Sequence, residues 1–173
     1  LAQTKFVHVS AEEVVPHIVT HSERHLPFFV VDCRDAREKS VGKFGASWDV
    51  DPKILHAPAR MREIIKALEA IRGKSHICIM GVGSDPLLDE LSPSDGAKLL
   101  LSDRRSTLAC AEAFTEAGYP YVSIIHGGFR ACFEVLRRRY STAELVDLDR
   151  WKCRPSRHFV YKNLSPSVAK ALW

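Results

Sequence analysis

In a parallel α/β sheet, chemistry gathers beyond the carboxyl ends of the strands, where helix N-termini and free backbone N–H groups converge. The stretch that fits such a place is His76-Ile77-Cys78-Ile79-Met80-Gly81-Val82-Gly83-Ser84-Asp85, an apolar run that stops at a glycine-punctuated loop. A cysteine, serine or aspartate where the run ends would be a nucleophile held among amides. Met80 stands there instead. Its thioether neither ionises nor carries a transferable group. Cys78 is the alternative nucleophile, two residues upstream. Side chains alternate along a strand with a rise of about 3.3 Å per residue, so Cys78 shares a face with Met80 but lies about 7 Å deeper. That spacing puts its thiol in the sheet rather than at the mouth.

Other reactive spacings are weaker. A cysteine-based phosphatase needs Cys-x5-Arg, so that loop amides and a guanidinium hold the phosphate together. The chain has that spacing at Cys132 and Arg138, but inside a glycine-free helical stretch that cannot form a cradle. Gly127-Gly128 lacks the rest of a phosphate-loop pattern and reads as a tight strand-to-helix turn. His126, just before it, is either a hydrogen-bonded structural histidine or a pH-sensitive group near the crevice. Five cysteines, odd in number and without Cys-x-x-Cys spacing, read as small buried hydrophobes in a reducing, cytoplasmic setting. Eight histidines are scattered, so neither a metal nor a cofactor is assigned.

Composition bounds the rest. The 173 residues, 46% hydrophobic and 27% charged, suffice for one α/β domain with a two-sided core. A formal charge of +4 is too small to argue for nucleic acid, and no apolar run reaches the roughly 20 residues that cross a bilayer. Leu1 in place of a methionine gives the expectation of a piece of a longer protein.

The elements that must position the loop follow from pattern. Ser10 with Glu13 three residues on is a capping box opening a helix. Phe28-Phe29-Val30-Val31-Asp32 is an uninterrupted apolar run ending in an acid, the mark of a buried parallel strand. A short polar helix over 34–39 and a strand over 47–50 come next. Met61, Ile64, Ile65, Leu68 and Ile71 recur at helical spacing over 58–71. After the strand Ile77 to Met80, the polar stretch 84–103 is expected to be a specialised or partly disordered insertion. Ser106 then caps a helix over 107–117 that stops at Gly118. Val122 to Ile125 is a further strand, and Phe129 to Tyr140 a last helix. Strands alternating with helices predict a mostly parallel, five-stranded sheet covered on both faces, a three-layer α/β fold. Residues 1–140 are expected to form the domain, and 141–173 a basic tail or linker packing partly upon it.

The succession Val30-Val31-Asp32-Cys33-Arg34, Gly42-Lys43-Phe44-Gly45-Ala46, the loop Met80 to Gly83, Ala117-Gly118-Tyr119 and Ile125-His126-Gly127-Gly128-Phe129 resembles a rhodanese domain over residues 7 to 140. It is most similar to the variant module found behind a TBC domain in Rab-GAP-like trafficking proteins, where a Met-Gly-x-Gly loop stands at the active-site position. The resemblance implies a catalytically inactive rhodanese-like fold with Met80 in the place of the family's cysteine. It also implies a structural role for Asp32 and Arg34 and a scaffold or interaction role in vesicle trafficking. A protein partner, such as a Golgi or endosome adaptor, and a monomeric state go with that reading. The rival reading is a diverged sulfurtransferase or persulfide carrier using Cys78. A third is a redox-sensitive binding domain in which Cys33 or Cys153 is modified. Arg137, Arg138, Arg139, Arg150, Lys152 and Arg154, with Trp151 among them, form either a solvated helix end or a patch for an acidic partner or an anionic membrane surface.

Overall fold

The computed structural model describes residues 5–19, 28–44, 47–83, 93–139 and 159–160. The two apolar runs lie side by side in parallel: β2 (Phe28–Asp32) pairs with β5 (His76–Met80) so that Phe28 faces His76 and Asp32 faces Met80. Around them stand β1 (Val7–Val9), β4 (Trp48–Asp49) and β6 (Val122–Ile125) in the order β1-β6-β5-β2-β4, every pairing parallel. Every described strand of this sheet therefore ends at one edge, and the loop after Met80 leaves from its middle. A separate antiparallel pair joins β3 (Lys43–Phe44) to β7 (Phe159–Val160). Apart from β7, the predicted tail of residues 141–173 lies outside the described residues.

Strand alternation divides the core into two layers. Ile77 and Ile79 of β5 face one side, packing with Met61, Cys110, Ala111 and Phe114 from α3 (Pro58–Ala67) and α4 (Pro93–Glu116). Cys78 and Met80 face the other, against Val14 and Val15 of α1 (Ala11–Val19) and Cys132, Val135 and Leu136 of α5 (Gly128–Arg139). The capping box forms as the sequence predicts: the Glu13 N–H donates to Ser10 Oγ at 3.3 Å, and the Ser10 N–H donates to Glu13 Oε2 at 3.0 Å. Asp35 caps α2 (Ala36–Val41) by accepting from the Glu38 N–H at 2.9 Å. Gly118 ends the structured turn after α4 with φ at +86°, a conformation that glycine adopts freely.

Three expectations change. The helix predicted over 107–117 is the C-terminal half of α4, which starts at Pro93 and runs 24 residues. Ser106 is therefore internal to the helix and not its cap. Pro93 at the first helical position and the leucines at 99–101 support the extra turns, whereas Ser, Asp and Gly between them look like a loop. Residues 84–92 of the expected insertion lie outside the described residues. The helix predicted over 58–71 is α3 followed by a separate 3-10 turn at Glu69–Ile71. Finally, β1 gave no sequence signal, because only Val9 of its three residues is buried while Val7 is exposed at the sheet edge.

Candidate active-site mouth

Met80 is the last residue of β5 and is wholly buried among the apolar side chains of the α1 and α5 layer. It does not stand at the mouth of the crevice, as the sequence pattern had it. The next residue, Gly81, turns toward α4 instead, as strand alternation requires. A Cβ there would come within 2.6 Å of Thr107 Oγ1 and 2.7 Å of Asp103 Oδ1. The space a side chain at 81 would need is thus filled by groups from α4.

What fills it is a carboxylate. Asp103 Oδ1 accepts the Val82 N–H at 2.8 Å, and Oδ2 accepts the Gly83 N–H at 3.2 Å. Thr107, one turn on, donates its hydroxyl to the Asp103 carbonyl at 2.7 Å. Loop amides that converge like this are an anion-binding cradle. Here the anion is the protein's own. The loop's carbonyls are engaged as well, since the Phe129 N–H donates to Gly81 at 2.8 Å and the Arg130 N–H to Val82 at 3.2 Å. These bonds satisfy the first amides of α5, which have no partner within the helix. Gly83 (φ +88°) passes so close to the Gly127 carbonyl that no Cβ fits between them. Ser84 and Asp85, the predicted end of the loop, lie outside the described residues.

Cys78 sits in the sheet below, fully buried. Desolvation, and secondarily the charge of Glu13, push its thiol up to about 12. Such a group stays protonated and is a poor nucleophile. Cys132 is likewise pushed up to about 12, mainly by burial, and its Cys-x5-Arg partner Arg138 instead reaches Glu12 of α1 at 3.0 Å. Cys33 lines a cavity beside the loop, but its thiol is buried and donates to the Met80 carbonyl at 3.4 Å. Cys153 lies outside the described residues. Among the described residues no group of three His, Cys, Asp or Glu side chains is placed to hold a metal ion.

The Asp32–Arg34 pair is structural, as the sequence implies. Arg34 donates from Nε to Asp32 Oδ1 at 3.0 Å and from Nη2 to Oδ2 at 2.7 Å, with Nη2 also reaching the Gly42 carbonyl at 2.9 Å. Its guanidinium stacks 3.7 Å from the centre of the Phe129 ring. Both members are sealed from solvent, so the bidentate geometry and the extra acceptor offset the cost of desolvating them. Their work is to tie β2, α2 and the start of α5 together.

No family model matches the chain. Among solved structures it is similar to Ygr203w of Saccharomyces cerevisiae, a homologue of single-domain rhodanese and the Cdc25 phosphatase catalytic domain. The TM-score is 0.50 at 15% identity, over 77% of this chain and 83% of that one. The fold is rhodanese-like. A structure from Rhodopseudomonas palustris, RPA3614, of unknown function and described as a possible tyrosine phosphatase, aligns with a TM-score of 0.47 at 19% identity, over 75% of this chain and 81% of that one. The similarity to Ygr203w, at 15% identity, bears on the architecture alone and leaves activity to the site itself.

Within the rhodanese-like fold, the residues that define the mouth are Gly81, Val82, Gly83, Asp103 and Thr107. Sequence reading named the first three and missed the last two. Asp103 and Thr107 are four apart on a helix whose start was misplaced, so nothing in the sequence aimed them at the loop. The basic patch is partly spent internally: Arg137 pairs with Glu134 at 3.0 Å and Arg138 with Glu12, while Arg139 is exposed. Arg150, Trp151, Lys152 and Arg154 lie outside the described residues. No described helix is long and apolar enough to cross a membrane.

Proposed function

We propose that this chain is a non-catalytic rhodanese-like domain that serves as a scaffold or protein-interaction module. The observation that carries the reading is the Asp103 carboxylate bound to the Val82 and Gly83 amides. A sulfurtransferase or cysteine phosphatase of this architecture needs those amides for a thiolate, persulfide or phosphoryl group. Neither Met80, buried beneath the loop, nor Gly81, which has no side chain, supplies a nucleophile in their place. What supports a setting beside a TBC domain, in a trafficking regulator acting peripherally at Golgi or endosomal membranes, is the sequence resemblance of the Met80 to Gly83 loop. Exposed Arg139 and the arginines beside it are the surface proposed for a protein partner or an anionic membrane.

The test is a thiosulfate-to-cyanide sulfur-transfer assay and an aryl-phosphate hydrolysis assay on the purified chain. Neither is expected to give turnover above a heat-denatured control. Intact mass after incubation with thiosulfate is expected to show no added sulfur. Turnover, or a persulfide confined to Cys78 and abolished by Cys78→Ser, would overturn the reading in favour of a diverged sulfurtransferase.

A further inference from the structure

Next to the filled cradle, between the ends of β1 and β6 and the face of α4, lies a cavity of about 170 Å³. Leu108, Ile124 and Ile125 form its apolar wall. Three groups able to carry positive charge reach it from three different elements: His8 of β1, Arg104 of α4 and His126 from the turn after β6. The His8 and His126 rings meet edge-on with centroids 6.1 Å apart. Among the described residues, no acceptor or acid pairs with either imidazole or with the Arg104 guanidinium. Asp103 also borders the cavity, but both its oxygens are spent on Val82 and Gly83. Gly127 and Gly128, both with positive φ, bring the backbone to the cavity rim without a Cβ.

Like charges gathered around one cavity repel, and an anion placed among them removes that cost. Burial first, then the charges of His126 and Arg104, hold His8 below the ordinary histidine range. We propose that this cavity binds a tetrahedral oxyanion, a sulfate or phosphoryl group, between Arg104 and the rings of His8 and His126. The charges facing it are Arg104 and Asp103 of α4, His8 of β1 and His126 of the turn. Arg104 and Asp103 offset one another, and the proton that His8 takes up as pH falls adds positive charge, so binding strengthens at lower pH. None of the three cationic residues belongs to the loop, so the proposal stands or falls separately from the absence of catalysis.

Sulfate keeps its double charge across the relevant range and is the probe. Titrated at about pH 5.5 and about pH 7.5 and followed through the histidine ring NMR signals, it is expected to shift both rings. Binding is expected to be about tenfold tighter or more at the lower pH. Arg104→Gln, and the double variant His8→Gln with His126→Gln, are each expected to weaken binding about tenfold or more at the lower pH. Their thermal unfolding is expected to match the parent, because all three side chains are exposed. Phosphatidylcholine vesicles with and without phosphatidic acid separate the sources. Retention on phosphatidic acid that the same variants lose assigns a lipid headgroup, and a response to sulfate alone assigns a soluble anion. Absence of sulfate binding at both pH values overturns the proposal, as does binding that is independent of pH or survives the variants.

Discussion

Replacing Asp103 with alanine strands two partly buried amides, those of Val82 and Gly83, which donate to its carboxylate at 2.8 and 3.2 Å. A hydrogen bond to a charged group contributes about 1.5–3 kcal/mol, and the longer of these two falls at or below the lower end. Asp103 is only half-buried, so solvent screening and rescue by water discount the pair to about 2–3 kcal/mol together. Alanine returns roughly 0.5 kcal/mol through its better helix propensity. The net loss is about 1.5–2.5 kcal/mol, which for a chain of this size lowers Tm by about 3–10 °C. Urea unfolding supplies the free energy, and amide hydrogen exchange reads the site directly: Val82 and Gly83 are expected to lose protection while the β5 amides keep theirs. Asp103→Asn, which retains one carbonyl acceptor, is expected to fall between the parent and alanine. Glu112→Ala, exposed on the same helix, is the control and is expected to stay within about 0.5 kcal/mol. If Asp103→Ala unfolds like that control and leaves both loop amides protected, the carboxylate is not the anion that holds the loop.

Gly83→Ala forces a side chain into a left-handed backbone against the Gly127 carbonyl and is expected to cost about 2 kcal/mol or more in urea unfolding. Arg34→Met leaves the Asp32 carboxylate buried without its partner; a loss of about 3–5 kcal/mol is expected, and the double variant Asp32→Leu with Arg34→Met is expected to recover part of it. Iodoacetamide labelling with peptide mapping at about pH 8 is expected to modify Cys33, Cys78, Cys110 and Cys132 at least about a hundredfold more slowly in folded than in denatured protein, since all four are buried. Burial holds His76 below its ordinary range, so the unfolded chain takes up that proton first. Its contribution to stability is therefore complete above the unfolded histidine value near 6.5 and is lost as pH falls from there through the lower folded value. His76→Gln is expected to flatten the slope of stability against pH between about 7 and 5, measured by urea unfolding.

The fold was readable where burial on both faces wrote itself into the sequence. Val30 and Val31, Ile77 and Ile79, and the Ser10–Glu13 box carry signals that no tertiary context is needed to interpret. β1 was not readable, because its place in the sheet comes from pairing with β6 while its own side chains are mostly exposed. α4 was misjudged because Ser94, Asp95 and Gly96 look like a loop by residue type, yet the helix runs through them from Pro93. The site suffered from the same gap. The glycines at 81 and 83 announced a close approach of backbones, and both positions prove to need it. What approaches them, Asp103 and Gly127, is more than 20 and more than 40 residues away in sequence, and no local spacing links them to the loop. Whether position 80 or position 81 opens the loop depends on where β5 ends, and those two positions face opposite sides of the sheet.

The segment from Gly81 to Gly83 is gripped from two sides, its N–H groups by α4 and its C=O groups by α5, and this limits where a thiol could be seated in it. A thiol installed at position 80 would be lodged in hydrocarbon, screened from any solute. One installed at position 81 would collide with Asp103 and Thr107. Seating a thiolate among the Val82 and Gly83 amides would require evicting the resident carboxylate and moving α4 against α5, more than one substitution accomplishes.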